Sequence, residues 1–196
     1  MDESSSSGTN LTNSLPSKVT STTIHNVNVS FEKDYPLTEK FQKQIIKSIA
    51  RILREIIKDN ILNNQMKFLQ QDILYYQNIP NISLEDYIYR IYKNTKMNLS
   101  TLIISIIYID RFCENNKYVI SMNNIHNLLL TCCLLSLKYN EDKNISSKYY
   151  AYVAGVSVIT LNNLEFFLCI KLNHCFFVEQ ELYQKYFDYF SKNIKK

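Results

Sequence analysis

LLLTCCLLSLKY, residues 128–139, is the stretch that decides the fold. From Leu128 to Leu137 it carries no charge, and its only side-chain polar groups are two hydroxyls and two thiols. A helix that is apolar on every side belongs in the centre of a bundle. Its small residues allow neighbouring helices to approach closely: Thr131, Cys132, Cys133 and Ser136. We therefore predict a buried central helix from about Met122 to Tyr139.

Two charged residues stand beside apolar stretches. Lys138 closes the central segment, where a cation suits the C-terminal end of the helix dipole. Further on, leucines at 161, 164, 168 and 172 predict one face of a later helix, and Glu165 lies on that stripe. Both residues are therefore candidates for a surface site, although Lys138 could simply cap its helix and Glu165 pair with a local lysine.

The composition predicts an all-α protein with one core and terminal extensions. The chain has 196 residues, 46% of them hydrophobic, with only two glycines and three prolines. The net charge of +4 is too small and too scattered to indicate nucleic acid by itself. The three histidines do not form a catalytic constellation with other residues, and without a glycine-rich loop the sequence has no phosphate-binding motif. We therefore expect no enzyme activity, no metal and no cofactor.

The cysteines and the apolar runs indicate an intracellular protein. Five cysteines form an odd set without a CxxC pair, which is typical of free thiols in a reducing compartment. The sequence begins MDESSSSGTN, without an apolar signal core, and its apolar runs are shorter than the roughly 20 residues of a membrane span. We expect a cytoplasmic or nuclear location, or both, and no membrane partner.

The chain divides into four segments by composition. Residues 1–34 are rich in Ser, Thr and Asn and are predicted to be a disordered tail. Residues 35–82 contain an amphipathic helix, whose basic face is expected to be solvated or locally paired, and then a connector. Residues 83–173 hold the central helices, and residues 174–196 hold a final helix with a basic tail.

Helix boundaries follow from capping residues. Ser83 with Asp86 forms a capping box for one helix, and Ser100 and Ser121 are candidate caps for the next two. Gly155 fits the left-handed position that ends a short helix, and Ser157 or Thr160 begins the following one.

Five motifs in register resemble the cyclin box of P/U-type cyclins, the single-box cyclins. They are SLEDYIYRI (83–91), LIISIIYIDRF (102–112), NIHNLLLTCCLLSLKYNED (124–142), SKYYAYVAGVS (147–157) and LNNLEFFLCIKLN (161–173). The resemblance covers about residues 40–190. It implies an all-α fold, in which a five-helix cyclin box over 83–173 has an N-terminal flanking helix and a C-terminal helix.

The resemblance also implies a function, the activation of a cyclin-dependent kinase in cell-cycle or nutrient signalling. The chain would be a regulatory subunit without cofactor, small-molecule ligand or nucleic acid. Lys138 and Glu165 match the pair at the centre of the kinase contact. Asp110 and Arg111 match residues that end the second box helix, and Asp110 is expected to hold the box together with Arg90 or another basic group. Gly155 is expected to be structural.

Two departures and one alternative accompany this resemblance. Residues 81–84 read N-I-S-L where cell-cycle cyclins carry the substrate-docking motif M-R-x-I-L. Ala154 and Gly155 stand where P-type cyclins often carry two glycines. The alternative function is a cyclin-fold transcription or nucleic-acid-binding scaffold that does not activate a kinase.

Overall fold

The computed structural model describes residues 38–77 and 79–194 of this chain, and all regular secondary structure in that part is helical. It contains seven α-helices and one short 3-10 turn, Gln65–Phe68. The helices are α1 Glu39–Leu62, α2 Leu84–Asn94, α3 Leu99–Asn116, α4 Ile125–Asn140, α5 Ser147–Ala154, α6 Val158–Lys171 and α7 Gln180–Lys192. The all-α prediction is confirmed, whereas the predicted disordered tail, residues 1–34, lies outside the described residues.

Helix α4 is the centre of the bundle, as the sequence predicts. It packs against α2, α3 and α6, and every residue from Ile125 to Leu137 is buried. The small residues serve close approach: Ser136 Oγ donates to Thr101 O of α3 at 2.7 Å, and Cys133 Sγ lies 3.4 Å from Ser105 Oγ. Because these hydroxyls find partners inside the bundle, their burial does not leave unpaired polar groups.

Helix α5 is anchored by two buried tyrosines that satisfy backbone carbonyls. The hydroxyl of Tyr150, on α5, donates to Leu130 O of α4 at 2.7 Å. The hydroxyl of Tyr87, on α2, donates to Ala154 O at the end of α5 at 3.2 Å. A ring that fills core volume while its hydroxyl satisfies a carbonyl stabilises the bundle through both effects.

The local helix signals are largely confirmed. Ser83 accepts from Asp86 N at 3.0 Å and caps α2 as predicted, but the Asp86 carboxylate accepts from the Ser83 hydroxyl at 2.6 Å and not from the Ser83 N–H, as it would in a capping box. Ser157 accepts from Thr160 N at 3.0 Å and begins α6. Gly155 ends α5 with φ of 77°, and a Cβ there would lie 3.0 Å from Arg90 Nη2, so both the backbone and the neighbouring side chain favour glycine.

Two predicted caps are wrong. Helix α3 begins at Leu99, so Ser100 lies inside its first turn, and the preceding Asn98 N donates to Glu141 Oε1 at 2.8 Å. Helix α4 begins at Ile125, three residues after the expected start, and Ser121 lies in a turn in which Asn124 Oδ1 accepts from Ser121 N at 2.9 Å.

The two flanking helices pack against each other. Ser48 of α1 donates to Phe190 O of α7 at 3.1 Å, and Arg51 Nη2 donates to Asn193 O at 3.1 Å. Both bonds join residues 142 positions apart. Five helices, α2 to α6, therefore lie in sequence between a pair of helices that close on each other.

The connector after α1 is tied to the turn before α4. Tyr76 N donates to Asn123 O at 2.6 Å, and Asn123 Nδ2 donates back to Tyr76 O at 2.8 Å. Asn127 Nδ2, at the start of α4, donates to Leu74 O at 3.1 Å. This segment has little regular structure, yet three of its backbone groups find partners in the turn before α4 and in the first turn of α4.

Among the described helices, none alone has the length and apolar character needed to cross a membrane. The bent pair formed by α5 and α6, at 96°, passes that test on length and composition only.

Candidate functional site

Lys138 and Glu165 form an ion pair between two helices. Lys138 lies in the last turn of α4 and Glu165 in the middle of α6, and Lys138 Nζ is 2.6 Å from Glu165 Oε1. The lysine side chain is 44% exposed and that of the glutamate 20%. The geometry follows from the sequence, because buried stripes on both helices hold them together and leave these two residues at the rim of the contact.

An exposed apolar stripe runs along α6 beside this pair. Ile159, Phe166 and Ile170 recur at helical spacing and are exposed, opposite the buried leucines of the same helix. Glu165 lies on the flank between the exposed and buried stripes. Further exposed apolar side chains belong to α5, the end of α4, the start of α6 and the segment after α6: Tyr139, Tyr149, Tyr152, Val158 and Phe177. So many on neighbouring elements are typical of a surface that a partner covers.

The end of α3 holds the segment that joins α6 to α7. Tyr108 donates to Phe176 O at 2.6 Å, and Arg111 donates to Cys175 O and, at 3.1 Å, to Phe177 O. The Phe176 ring packs against both Tyr108 and Tyr139, with 5.7 Å between ring centroids in each case. Arg111 therefore fixes the backbone that places Phe176 beside the residue following Lys138.

Asp110 is buried and bonded to α7 rather than to a basic group. The hydroxyl of Tyr186 donates to Asp110 Oδ2, and Asp110 Oδ1 has no hydrogen-bond partner among the described residues. The expected pairing with Arg90 is wrong: the Arg90 guanidinium lies 5.5 Å from the centroid of the Tyr87 ring. Burial raises the pKa of the Asp110 carboxyl to about 6, the Tyr186 hydrogen bond opposes that rise and the charge of Glu114 adds to it.

We expect Asp110→Asn to stabilise the chain at neutral pH. The pKa of Asp110 rises from 3.8 to about 6 on folding, so the folded state holds the proton more tightly than the unfolded one. Its contribution to stability is therefore greatest below about pH 4 and is lost as the pH rises to 6. An asparagine can still accept from Tyr186 but carries no charge. The stability difference between variant and wild type should be on the order of 2 kcal/mol at pH 7.5 and close to zero at pH 4.

Urea unfolding of both proteins at the two pH values measures this difference, since other carboxylates cancel in the comparison. A difference independent of pH would show that folding does not raise the pKa of Asp110.

The described residues offer no group of three or more His, Cys, Asp or Glu side chains that could hold a metal ion. The buried thiols of Cys113, Cys132 and Cys133 have pKa values raised by burial, which disfavours the reactive thiolate.

The structure also brings together residues that the sequence does not single out. Tyr186 lies 76 positions from Asp110, and no local pattern links them. The exposed stripe of α6 does carry a signal, because Ile159, Phe166 and Ile170 repeat at spacings of seven and four residues.

Comparisons with known proteins agree with this fold. The Cyclin family model matches residues 4–176 of the chain. Cyclin-U2-1 of Arabidopsis thaliana is 36% identical over 109 residues, which cover 55% of this chain and 49% of that protein. Cyclin-U1-1 of Arabidopsis thaliana is 28% identical over 162 residues, covering 74% of this chain and 77% of that protein. Cyclin-P3-1 of Oryza sativa subsp. japonica is 24% identical over 148 residues, covering 75% and 63%.

The Cyclin family model covers most of the chain, and the all-α fold of that family agrees with the helices described above. The chain belongs to the cyclin family and is of the P/U type. The chain spans about half the length of the two U2-type relatives that it matches.

Proposed function

We propose that the chain binds a cyclin-dependent protein kinase and activates it by packing against the mobile αC helix of the kinase. Activation requires that helix to be held inward, so that its glutamate pairs with the lysine that orients ATP. A regulator that binds only the inward state shifts the kinase towards it. The activated kinase would act in cell-cycle or nutrient signalling, in the cytoplasm, the nucleus or both.

The observation that carries the proposal is the ion pair between Lys138 and Glu165 beside the exposed apolar stripe of α6. Half-exposed ion pairs contribute only about 0–1 kcal/mol to the stability of a free chain. When apolar contacts of a partner exclude water from such a pair, its hydrogen bonds to that partner become strong determinants of binding. Arg111 supports the same face by fixing the segment that carries Phe176 and Phe177.

Local pairing of part of the basic face of α1 weakens the alternative of a nucleic-acid scaffold. Lys43 pairs with Glu39 at 3.0 Å, Lys47 with Glu85 at 3.8 Å and Arg51 with Glu55 at 2.8 Å. Cations that are already paired release fewer counterions from a nucleic acid. Local pairing is one of the two arrangements, solvated or locally paired, that the sequence predicts for that face.

The test is the affinity of Lys138→Ala and Glu165→Ala variants for the kinase. The cyclin-dependent kinases of the source cell are expressed singly, and the one that binds the wild-type chain is titrated with each variant. Truncating one member of a desolvated polar set costs roughly 2–5 kcal/mol, so each variant should bind about 30-fold more weakly or worse. Kinase activity towards a protein substrate should fall in parallel.

The matched control is Arg54→Ala with Lys58→Ala, which removes two exposed cations from α1. It should bind the kinase like wild type, and all variants should melt within a few degrees of it. If both single variants bind and activate the kinase normally, the kinase contact lies on another face.

A further inference from the structure

A cavity of about 260 Å³ lies where the first turns of α1 meet the C-terminal half of α2 and the residues after it. It involves neither Lys138 nor Glu165, and no role has been assigned to it above. Tyr89, Tyr92 and Met97 form apolar parts of its wall. The charged residues of the wall are Glu39, Lys43, Lys93 and Lys96.

Positive charge exceeds negative charge in this wall, with three lysines against one glutamate. Lys43 Nζ is 3.0 Å from Glu39 Oε1, but the ammonium groups of Lys93 and Lys96 make no ion pair with any residue among 38–77 and 79–194. The hydrogen bond and charge of Lys43, with the charge of Lys93, hold the pKa of Glu39 below its usual value. The cavity therefore has an excess of cations.

The lysines are held beside an aromatic ring. Lys43 Nζ and Lys93 Nζ lie 5.6 Å and 5.5 Å from the centroid of the Tyr89 ring, and Lys93 Nζ also donates to the Tyr89 hydroxyl at 3.3 Å. These contacts restrain two flexible side chains near the same ring, which reduces the entropy lost when they bind an anion. Lys43 of α1, Lys93 of α2 and Lys96 just after α2 therefore line one small space.

Size and charge together select the ligand. Sites that enclose a whole small molecule usually measure about 300–1,000 Å³, so this cavity fits one side chain of a larger ligand better. A carboxylate would bring one negative charge, whereas a phosphate monoester carries about −1.5 to −2 and three strong acceptor oxygens. The phosphate monoester matches three lysines that are only partly neutralised by Glu39.

We propose that this cavity binds the phosphate group of a phosphorylated serine or threonine presented by a peptide segment. Lys93 and Lys96 supply the unpaired positive charge, Lys43 supplies a third cation, and the Tyr89 ring restrains Lys43 and Lys93. The segment can belong to another protein or to this chain, whose first 37 residues are rich in Ser and Thr and join α1 directly before the cavity. This site is independent of the kinase contact proposed above.

The experiment measures peptide binding by the full chain alone, without any kinase. The probe is a fluorescent peptide with the sequence of residues 17–28, SKVTSTTIHNVN, phosphorylated at Ser21. We expect it to bind at least tenfold more tightly than its unphosphorylated twin in physiological salt. The variant Lys93→Gln with Lys96→Gln should bind both peptides equally weakly, while keeping the helicity and melting temperature of wild type.

The matched control is Arg54→Gln with Lys58→Gln, which removes the same charge from the exposed face of α1 and should retain tight binding. If both double variants lose the same affinity for the phosphopeptide, the overall charge of the protein explains the binding and the proposed site is wrong. If inorganic phosphate competes at the same concentrations as the peptide, the cavity does not recognise the peptide part of the ligand. If the two peptides bind equally well, the cavity does not recognise the phosphate group.

A chain that carries phosphoserine at Ser21 distinguishes the two sources. If its own segment fills the cavity, the labelled phosphopeptide should bind this chain several-fold more weakly than the unmodified chain. Unchanged binding assigns the cavity to a phosphorylated segment of another protein. Either result requires that the labelled peptide binds through Lys93 and Lys96.

Discussion

A chain carrying Leu134→Asp is expected to show no cooperative unfolding transition and little helicity at 25 °C. Leu134 is only 1% exposed, in the middle of the helix around which the others pack. An unpaired carboxylate at that position costs several kcal/mol, or takes up a proton at a similar cost. That penalty is comparable to the whole free energy of unfolding of a typical domain, about 5–15 kcal/mol.

Far-ultraviolet circular dichroism with thermal melting measures this effect. Asn163→Asp, an exposed position of α6, introduces the same charge and should melt within a few degrees of wild type. A Leu134→Asp chain that melts cooperatively would show that α4 is not the centre of the core.

The opposite pattern is expected for a chain carrying Phe166→Asp, which should fold normally but no longer bind the kinase tightly. Phe166 is 69% exposed on the apolar stripe of α6, so the free chain loses little when it is replaced. In the proposed complex the same ring is buried near the centre of the contact, where aromatic side chains dominate binding energy. An aspartate there forfeits the apolar contact and places an unpaired charge in a dry interface, which should weaken binding by at least about 100-fold.

Phe68→Asp is the control for this variant. Phe68 is another exposed phenylalanine, in the 3-10 turn Gln65–Phe68, and it lies on none of the elements of the proposed kinase face. It should bind the kinase with wild-type affinity. Equal effects of the two substitutions, or none from Phe166→Asp, would remove the stripe of α6 from the interface.

The sequence was most informative where the structure is decided locally. The uninterrupted apolar run 128–137 predicts a central helix because only a helix surrounded by others can be apolar on all sides. The helix cap of Ser83 and the left-handed glycine at 155 act within one helical turn, so they can be read without knowledge of the fold.

One wrong cap, Ser121, lies in a local turn closed by Asn124, whereas two other errors concern features decided by distant contacts. Helix α3 begins at Leu99, and the carboxylate of Glu141, 43 positions away, accepts from Asn98 N immediately before that helix. Ser100 has the right chemistry for a cap but the wrong place. In the same way, Asp110 finds Tyr186 of α7 instead of a basic residue, because the packing of α7 against α3 brings that hydroxyl to it.

The candidate site was only partly predictable for the same reason. Lys138 is recognisable because it ends a helix segment that is buried on all sides, and Glu165 because it lies beside the buried leucines of α6; the structure brings the two to 2.6 Å. The spacing of Ile159, Phe166 and Ile170 marks a second apolar stripe on α6, but the sequence does not show that this stripe, unlike the leucine stripe, has no neighbouring helix. The cavity between α1 and α2 joins lysines more than 40 positions apart, which a local pattern does not reveal.

The pairing of α1 with α7 has a consequence for how the chain folds. Ser48 and Arg51 reach residues 142 positions away, so their bonds form only after a very long loop has closed. The helices between them make contacts of shorter sequence range and are expected to assemble first, because forming those contacts costs less loop-closure entropy. The two ends would then close last and reopen first, and amide hydrogens of α7 would exchange with solvent sooner than those of α4. Loss of either terminal helix would therefore expose the surface of the other that it covers.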